Sequence, residues 1–254
     1  MPTNRKLVRE PRDHAAASEG AGEPATLGEA AYQRLRADIV VGTFKAGEPL
    51  RLEALRQRYG LSFSPLREAL MRLQSERLVA STALRGFSVA PLSREEIEDA
   101  TETRILIESE ALRRSMRNGD DDWEANIVAA FHALSLQVER QSKLSKLETA
   151  DLFAMEERHH HFHRALIAPC GSPRLLELAE QLYVETQRYR LPNYFGGTLG
   201  KRRRDAAAEH KAIMDAALRR SQEAVRLLAE HYRKTAAIIE ASIEWPSPSG
   251  KAAK

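Results

Sequence analysis

The chain has 254 residues, of which 43% are hydrophobic and 30% charged, with a formal net charge of +3 at pH 7. This composition excludes a chain that is disordered throughout, and no apolar run reaches the roughly 18–20 residues that span a bilayer, which excludes an integral membrane protein. The single cysteine, Cys170, excludes an intramolecular disulfide framework. The N-terminus has no apolar segment of the secretory type, so we expect a cytoplasmic protein without membrane contact.

The surplus positive charge lies in one block near the N-terminus. Residues 27–92 contain ten Lys and Arg against six Asp and Glu, whereas residues 93–254 contain 25 against 26. Residues 1–26 are balanced and nearly free of large apolar side chains, so we expect a disordered tail there. This distribution predicts a small module that binds a polyanion, followed by a neutral module with another role.

Three helices are predicted in the positively charged block. The first begins at Leu27 and ends before Gly42. A short second helix ends at Gly60, which suits the left-handed C-terminal position. The third begins at Ser62 or Ser64. Apolar stripes at helical spacing are formed by Ala31, Leu35 and Ile39, by Leu52, Leu55 and Tyr59, and by Leu66, Leu70 and Leu73.

Two short runs of strand-like composition follow the third helix. They are Leu78–Ser81 and Phe87–Ala90, joined around Arg85 and Gly86 as a hairpin. Three helices and a hairpin within residues 27–92 are typical of a winged helix-turn-helix.

From Ser93 onward only helical patterns are found. Ser93 and Glu96 form the S-x-x-E capping signature that begins a long helix ending near Arg117. Further helices are predicted at roughly 121–141, 148–168, 173–193, 201–220 and 221–243. About six helices with short connections predict an antiparallel bundle over residues 93–244, with a flexible tail over 245–254. The predicted fold class is therefore mostly α, with an N-terminal winged helix-turn-helix and a C-terminal α-helical bundle.

The third helix of the N-terminal module has the chemistry to contact DNA. A helix in the major groove uses side chains near its N-terminus to reach base edges, and cations to reach phosphates. Ser64, Arg67 and Arg72 are candidates on this helix, and Arg85 and Gly86 are candidates at the hairpin tip. The pattern alone also fits an ordinary amphipathic helix with solvated arginines.

Residues 29–93 resemble the N-terminal module of the GntR family of bacterial transcription regulators. The family's recognition helix begins close to S-R-T-P-V-R-E-A-L, and this chain has S-F-S-P-L-R-E-A-L from Ser62. Phe63 replaces the usual arginine, which commonly contacts DNA in the family, so the resemblance implies an altered operator sequence. The resemblance also implies that double-stranded operator DNA is contacted by Arg34, Phe63, Ser64, Pro65, Arg67, Arg72, Arg85 and Gly86.

Four of the eight histidines lie within five positions of one predicted bundle helix. His159 and His163 are four residues apart and share a helix face, whereas His160 and His161 turn away. Two further histidines lie on later helices, His210 and His231. Such an i, i+4 pair with one histidine from each of two facing helices can form a metal site inside a bundle. The pattern alone also fits ordinary core or surface histidines.

Residues 93–243 resemble the FCD domain, which follows the winged helix in the FadR branch of the GntR family. That domain typically has D-x-x-x-H on one helix and single histidines on two later helices, and it binds a divalent metal. His163, His210 and His231 match three of these positions, and His159 occupies the aspartate position. The resemblance implies a metal site of these four residues, and an all-imidazole site favours Zn²⁺, or Ni²⁺, over harder ions.

The FCD resemblance also implies a cavity for a small effector. An arginine at the place of Arg104 faces this cavity in the family and pairs an effector carboxylate, and Glu108 lies one turn away to hold it. Without a structure, a surface ion pair of these two residues fits equally well. Further candidates are Arg188, Tyr189 and Arg190. Narrower likeness to the subgroup that contains the carbon-starvation-induced repressor of the glutarate operon implies a short-chain carboxylate or dicarboxylate effector.

These observations together predict a metabolite-responsive transcription regulator, a repressor and not an enzyme. A homodimer is expected, because two recognition helices hold a pseudo-palindromic operator more tightly than one. The alternative is a metallohydrolase whose histidine site activates water, with the winged helix as an accessory DNA-binding module. The complete winged helix, and the lack of a clear general base beside the histidines, oppose this alternative.

Overall fold

The computed structural model describes residues 26–82, 86–195, 204–243 and 245. It confirms the predicted fold class, a winged helix-turn-helix followed by an α-helical bundle. The N-terminal module consists of α1 (Leu27–Val40), α2 (Leu52–Tyr59), α3 (Phe63–Ser75), β1 (Val79–Thr82) and β2 (Gly86–Val89). The bundle consists of α4 (Arg94–Asn118), α5 (Asp121–Ser142), α6 (Thr149–Ile167), α7 (Pro173–Phe195), α8 (Ala206–Leu218) and α9 (Glu223–Glu240).

Local signals in the sequence account for the elements of the N-terminal module. Gly60 ends α2 with a φ of 67°, a left-handed conformation that residues with a side chain rarely adopt. Ser62 is the residue that precedes α3. β1 pairs antiparallel with β2, with Val79 opposite Val89. The module's core includes Ala31, Leu35, Ile39, Leu55, Leu66, Leu70 and Leu73.

Side-chain caps begin several of the bundle helices. Asp120 and Asp205 accept backbone N–H groups at the starts of α5 and α8. Ser93 caps α4 as predicted, by accepting the N–H of Glu96 at 3.3 Å. The reciprocal half of the capping box does not form, because the carboxylate of Glu96 instead accepts from Arg188. α4 packs against α7 and α9, and α5 packs against α6, around a separate hydrophobic core.

Two residues assigned to the predicted tails belong to the fold. Thr26 caps α1 by accepting the N–H of Glu29 at 3.1 Å. Trp245 packs against the small apolar cluster that contains Tyr189. The other residues of both predicted tails lie outside the described residues, as do Arg85 of the wing and residues 201–203. No helix within the described ranges is long and apolar enough to span a membrane.

Helices α6 and α7 of the bundle pack directly on the N-terminal module. Leu152 and Leu191 are buried in the core of that module, not in the core of the bundle. Gln187 accepts a 2.5 Å hydrogen bond from Arg36 on α1. Arg188 donates to the backbone between β2 and α4 at 3.1 Å. The two modules are therefore joined by both apolar and polar contacts, and α7 contributes to each kind.

Candidate functional site

Four buried histidines converge inside the bundle. α6 contributes His159 and His163, which lie one turn apart, α8 contributes His210, and α9 contributes His231. One ring nitrogen of each lies within 4.8 Å of the nitrogen atoms of the other three. The shared face predicted from the four-residue spacing is therefore observed, and the two later helices bring their histidines to the same point.

Hydrogen bonds from outside the cluster orient two of the rings. Tyr232 donates its single hydroxyl proton to Glu108 at 2.5 Å, so its oxygen accepts from Nδ1–H of His163 at 2.9 Å. Nδ1 of His231 lies 2.9 Å from the carboxylate of Glu209. The same Nδ1 lies 3.0 Å from the guanidinium of Arg204. His163, which donates through Nδ1–H, keeps the lone pair of its Nε2 for a ligand, as ligating histidines oriented by hydroxyl or carboxylate partners do.

The donor set fits a divalent transition metal. Nε2 of His210 is buried and has no hydrogen-bond partner among the described residues, although buried polar atoms normally have one. Burial lowers the pKa of His159, His163 and His210 well below 6.5 and that of His231 to about 4, so all four offer a lone pair at pH 7. Two nitrogen atoms that bind one metal at about 2.1 Å each are at most about 4.2 Å apart. The four nitrogen atoms lie within 4.8 Å of one another, so small rotations of the rings would let all four bind one ion.

A cavity of about 360 Å³ lies between α4, α6 and α7. Arg104, Glu108 and His163 line it, so the cavity reaches the histidine cluster. Its volume is at the lower end of the range for small-molecule sites, which suits a small metabolite. Other lining residues include His160, Arg164, Glu180 and Tyr183.

Arg104 is buried, which excludes the surface ion pair with Glu108 that the sequence left open. Its Nε donates to Glu108 at 2.5 Å, and its Nη2 donates to Tyr232 at 3.2 Å. The Nη1 group of Arg104 donates to no acceptor among the described residues. Arg104 thus links the cavity wall to the tyrosine that orients His163. Its Nη1 group can donate hydrogen bonds to the carboxylate of a ligand.

A second buried ion pair lies beside Arg104. Arg190 donates to the carboxylate of Glu156 and, at 2.8 Å, to the hydroxyl of Thr186. Tyr183 donates to the same carboxylate at 2.5 Å. Burial opposes the ionisation of Glu156, but the charge of Arg190 and the hydroxyl of Tyr183 lower its pKa overall. Arg104 and Arg190 also line a second cavity of about 30 Å³, which has room for about one water molecule.

Glu156, Tyr183 and Tyr232 belong to this network but are not among the residues predicted from the sequence. Glu156 lies three residues before His159, a spacing that places both on one face of α6. Tyr232 directly follows His231. The positions of Glu156 and Tyr232 close to these histidines in the sequence are the only local signals for the network. Neither signal indicates which side chains Glu156 and Tyr232 contact.

Two residues predicted for the effector cavity lie elsewhere. Arg188 binds the backbone after β2 and the carboxylate of Glu96, each at 3.1 Å. Tyr189 packs between α4 and α9. Both belong to the joint between the modules and not to the cavity beside Arg104. The physical reason is that residues 186–191 of α7 are all buried, so consecutive side chains face different parts of the protein.

Several predicted DNA-contacting residues form an exposed surface. Ser64 and Arg67 are exposed near the start of α3, and Phe63 is 45% exposed beside them. Arg67 has no hydrogen bond or ion pair with any residue that the structure describes. Arg34 on α1 is exposed, as is Gly86 at the start of β2.

Two other predicted DNA-contacting residues have structural roles. Pro65 is buried, so it shapes the start of α3 and does not present a surface to DNA. Arg72 binds Glu29 at 2.7 Å, and its guanidinium lies 3.6 Å from the centre of the Tyr32 ring. Arg72 therefore ties α3 to α1, and it projects from a different side of α3 than Arg67 does.

Both modules match known protein families. The family described as bacterial regulatory proteins, gntR family, matches residues 27–89. The FCD domain family matches residues 99–234.

Similar proteins support the same assignment. An uncharacterized HTH-type transcriptional regulator, BphR of Paraburkholderia xenovorans strain LB400, is 39% identical over 216 residues, which are 84% of this chain and 85% of the relative. The HTH-type transcriptional repressor GlaR of Escherichia coli K12 is 38% identical over 159 residues, 63% of this chain and 70% of the relative. The solved structure of E. coli McbR/YncC, at 20% identity, has a TM-score of 0.67 and covers 85% of this chain and 98% of its own, which shows a shared fold.

The buried histidines predict how stability depends on pH. Their pKa values are lowered by folding from 6.5, so between pH 6.5 and about 4 the unfolded chain holds more protons than the folded one. The free energy of unfolding of metal-free protein should therefore fall as the pH falls through this window. Carboxyls with lowered pKa values lose their contribution only below about 4.5. Urea unfolding at a series of pH values measures the effect.

The exposed His161 provides the matched control for this experiment. His161→Gln should keep the wild-type slope of stability against pH, and His231→Gln should reduce it. Stability that does not change between pH 6.5 and 4.5 would contradict the assignment of neutral buried histidines.

Proposed function

The chain belongs to the gntR family of bacterial regulatory proteins and carries an FCD domain, and on this premise we propose that it is a homodimeric repressor that responds to a small carboxylate bound beside a transition metal. The chain is a metabolite-responsive, DNA-binding transcription regulator. The relatives described above are HTH-type transcriptional regulators. Those similarities support a regulator and not the metallohydrolase alternative. A regulator of transcription acts on DNA, so we expect it in the cytoplasm.

The proposed metal ligands are His159, His163, His210 and His231. Neutral imidazoles favour Zn²⁺ or Ni²⁺ among the divalent ions. These four residues would hold the metal, and when bound it would supply a Lewis-acidic centre for an acid oxygen. Tyr232 and Glu209 hold two of the rings in the orientation that ligation requires.

The observation that carries the effector proposal is the position of Arg104. It lines the 360 Å³ cavity and donates to the tyrosine that orients His163. A carboxylate in the inner part of the cavity would accept from Arg104, and the neighbouring Glu108 keeps the guanidinium in place. Arg164 lines the same cavity and is exposed, so a second carboxylate of a short dicarboxylate would find a cation there.

The DNA-binding surface is proposed to consist of α3 and the wing. Phe63, Ser64 and Arg67 would face base edges and phosphates, with Arg34 and Gly86 at the periphery. A two-fold dimer would present two copies of α3 to successive half-sites of a pseudo-palindromic operator. α7 would transmit the effector signal, because it contacts both the cavity and the N-terminal module.

A single histidine substitution tests the metal site. Wild-type protein purified without an affinity tag should bind one Zn²⁺ or Ni²⁺ per chain, with a rise in the midpoint of thermal unfolding. His210→Ala should weaken this binding at least tenfold because it removes a ligand. The double variant His160→Ala/His161→Ala is the matched control and should keep full stoichiometry. The metal site is refuted if elemental analysis and titration both find no bound metal.

The variant Arg104→Lys tests the effector site. Lysine keeps the positive charge but cannot form the two-pronged contact with a carboxylate. Operator affinity should be measured against a series of short-chain mono- and dicarboxylates. The variant should need at least tenfold more acid for the wild-type response, while its affinity without acid stays the same. Arg174→Lys, at a side chain that is 82% exposed, should behave as wild type. An unchanged acid response in Arg104→Lys would exclude Arg104 from the effector site.

The variant Arg67→Ala tests the DNA surface. Loss of one base or phosphate contact costs roughly 1–3 kcal/mol per half-site, so affinity for the operator should fall at least tenfold. The operator is the site found by footprinting the DNA upstream of the protein's own gene. Arg140→Ala, at an exposed position of α5, is the control and should bind normally. Normal binding by Arg67→Ala would remove α3 from the interface.

A further inference from the structure

We propose that Phe63 and Met71 determine operator sequence by contacting thymine methyl groups on either side of the position read by Arg67. The three residues are spaced four apart on α3 and therefore lie along one face of the helix. This inference rests on the proposed placement of α3 in the major groove.

The exposed face of α3 contains two large apolar side chains. Phe63 is 45% exposed and Met71 is 60% exposed, while the opposite face is fully buried through Leu66, Leu70 and Leu73. The two side chains flank Arg67 on the face of α3 that the proposed placement turns toward DNA. In the major groove the apolar feature of a base edge is the methyl group of thymine.

Charge on the same face indicates that the partner is DNA. Arg67 lies between Phe63 and Met71 and has no ion pair with any described residue. By contrast, Arg56, Arg58 and Arg72 of the same module are paired with Glu53, Asp38 and Glu29. An unpaired arginine on an exposed helix face suits the O6 and N7 acceptors of guanine.

The ring of Phe63 is supported by α2. The guanidinium of Arg56 lies 5.6 Å from the centre of this ring, within the range of a cation–π contact. Arg56 is itself held by Glu53 at 2.7 Å. This contact restricts the ring before DNA binds, which reduces the entropy lost when the ring is fixed against a base.

The spacing of the side chains predicts a pattern in the operator. Phe63 and Met71 are about 12 Å apart along the helix axis, at about 1.5 Å per residue. Successive base pairs are about 3.4 Å apart. Because a helix in the major groove is inclined to the DNA axis, the two side chains would contact thymines at most about three base pairs apart, with the guanine read by Arg67 between them.

Replacing thymine by deoxyuridine tests this proposal, because it removes the methyl group and leaves every hydrogen-bonding group in place. Each thymine of one footprinted half-site is replaced in turn, and binding is measured by fluorescence anisotropy. For wild-type protein, two positions should each weaken binding about three- to fivefold, the effect of losing one buried methyl-sized group. Phe63→Ala should lose its sensitivity at one of these positions and keep it at the other. Met71→Ala should show the reverse.

Controls separate failure of this proposal from failure of the placement of α3. Leu106→Ala, at a residue that is 71% exposed on α4, should keep the full wild-type pattern. If Arg67→Ala loses operator binding but deoxyuridine has the same effect in wild type, Phe63→Ala and Met71→Ala, then α3 enters the groove and the methyl contacts are refuted. If Arg67→Ala binds normally, the placement of α3 itself fails. Thermal unfolding confirms that each variant is folded.

Discussion

The interior of the bundle contains charged and polar side chains that are almost completely buried, and most of them have a partner there. Arg104 pairs with Glu108, Arg190 pairs with Glu156, and the four histidines stay neutral because burial lowers their pKa values. An interior selected for stability alone would be apolar, since the cost of desolvating a buried ion pair often exceeds the attraction gained. The polar interior is what the proposed metal and effector sites require. Tyr232 makes it one network, because it contacts Arg104, Glu108 and His163 together.

α7 connects this network to the DNA-binding module. Tyr183 and Arg190 hold the carboxylate of Glu156 inside the bundle, whereas Gln187 and Leu191 contact the N-terminal module. Because a helix is stiff over such a short length, a shift of the α7 residues inside the bundle also shifts the α7 residues that contact the N-terminal module. A ligand changes the balance between two positions of α7 only if it binds one of them more tightly. We propose that an acid bound beside Arg104 does so, because Tyr183 of α7 lines the same cavity.

The fold could be predicted from the sequence because its signals are local. Gly60 ends a helix, Ser93 begins one, and the apolar stripes have helical spacing. The histidine cluster could also be predicted, since His159 and His163 share a face and the family resemblance indicates which later histidines join them. The neighbours of Arg188 and Tyr189 could not be predicted, because α7 is buried all round at these residues and has no single apolar face. The partner of Arg72 lies 43 residues away in the sequence, so no local pattern indicates it.

We propose that the histidine cluster and the DNA-binding module are coupled through α7. Hydrogen–deuterium exchange of the full-length protein, with and without Zn²⁺, measures this coupling. If the two are coupled, Zn²⁺ slows exchange in α6, α8 and α9, which carry the proposed ligands, and also in residues 183–191 of α7 and in α1 around Arg36. Protection confined to α6, α8 and α9, with α7 and α1 unchanged, would contradict it.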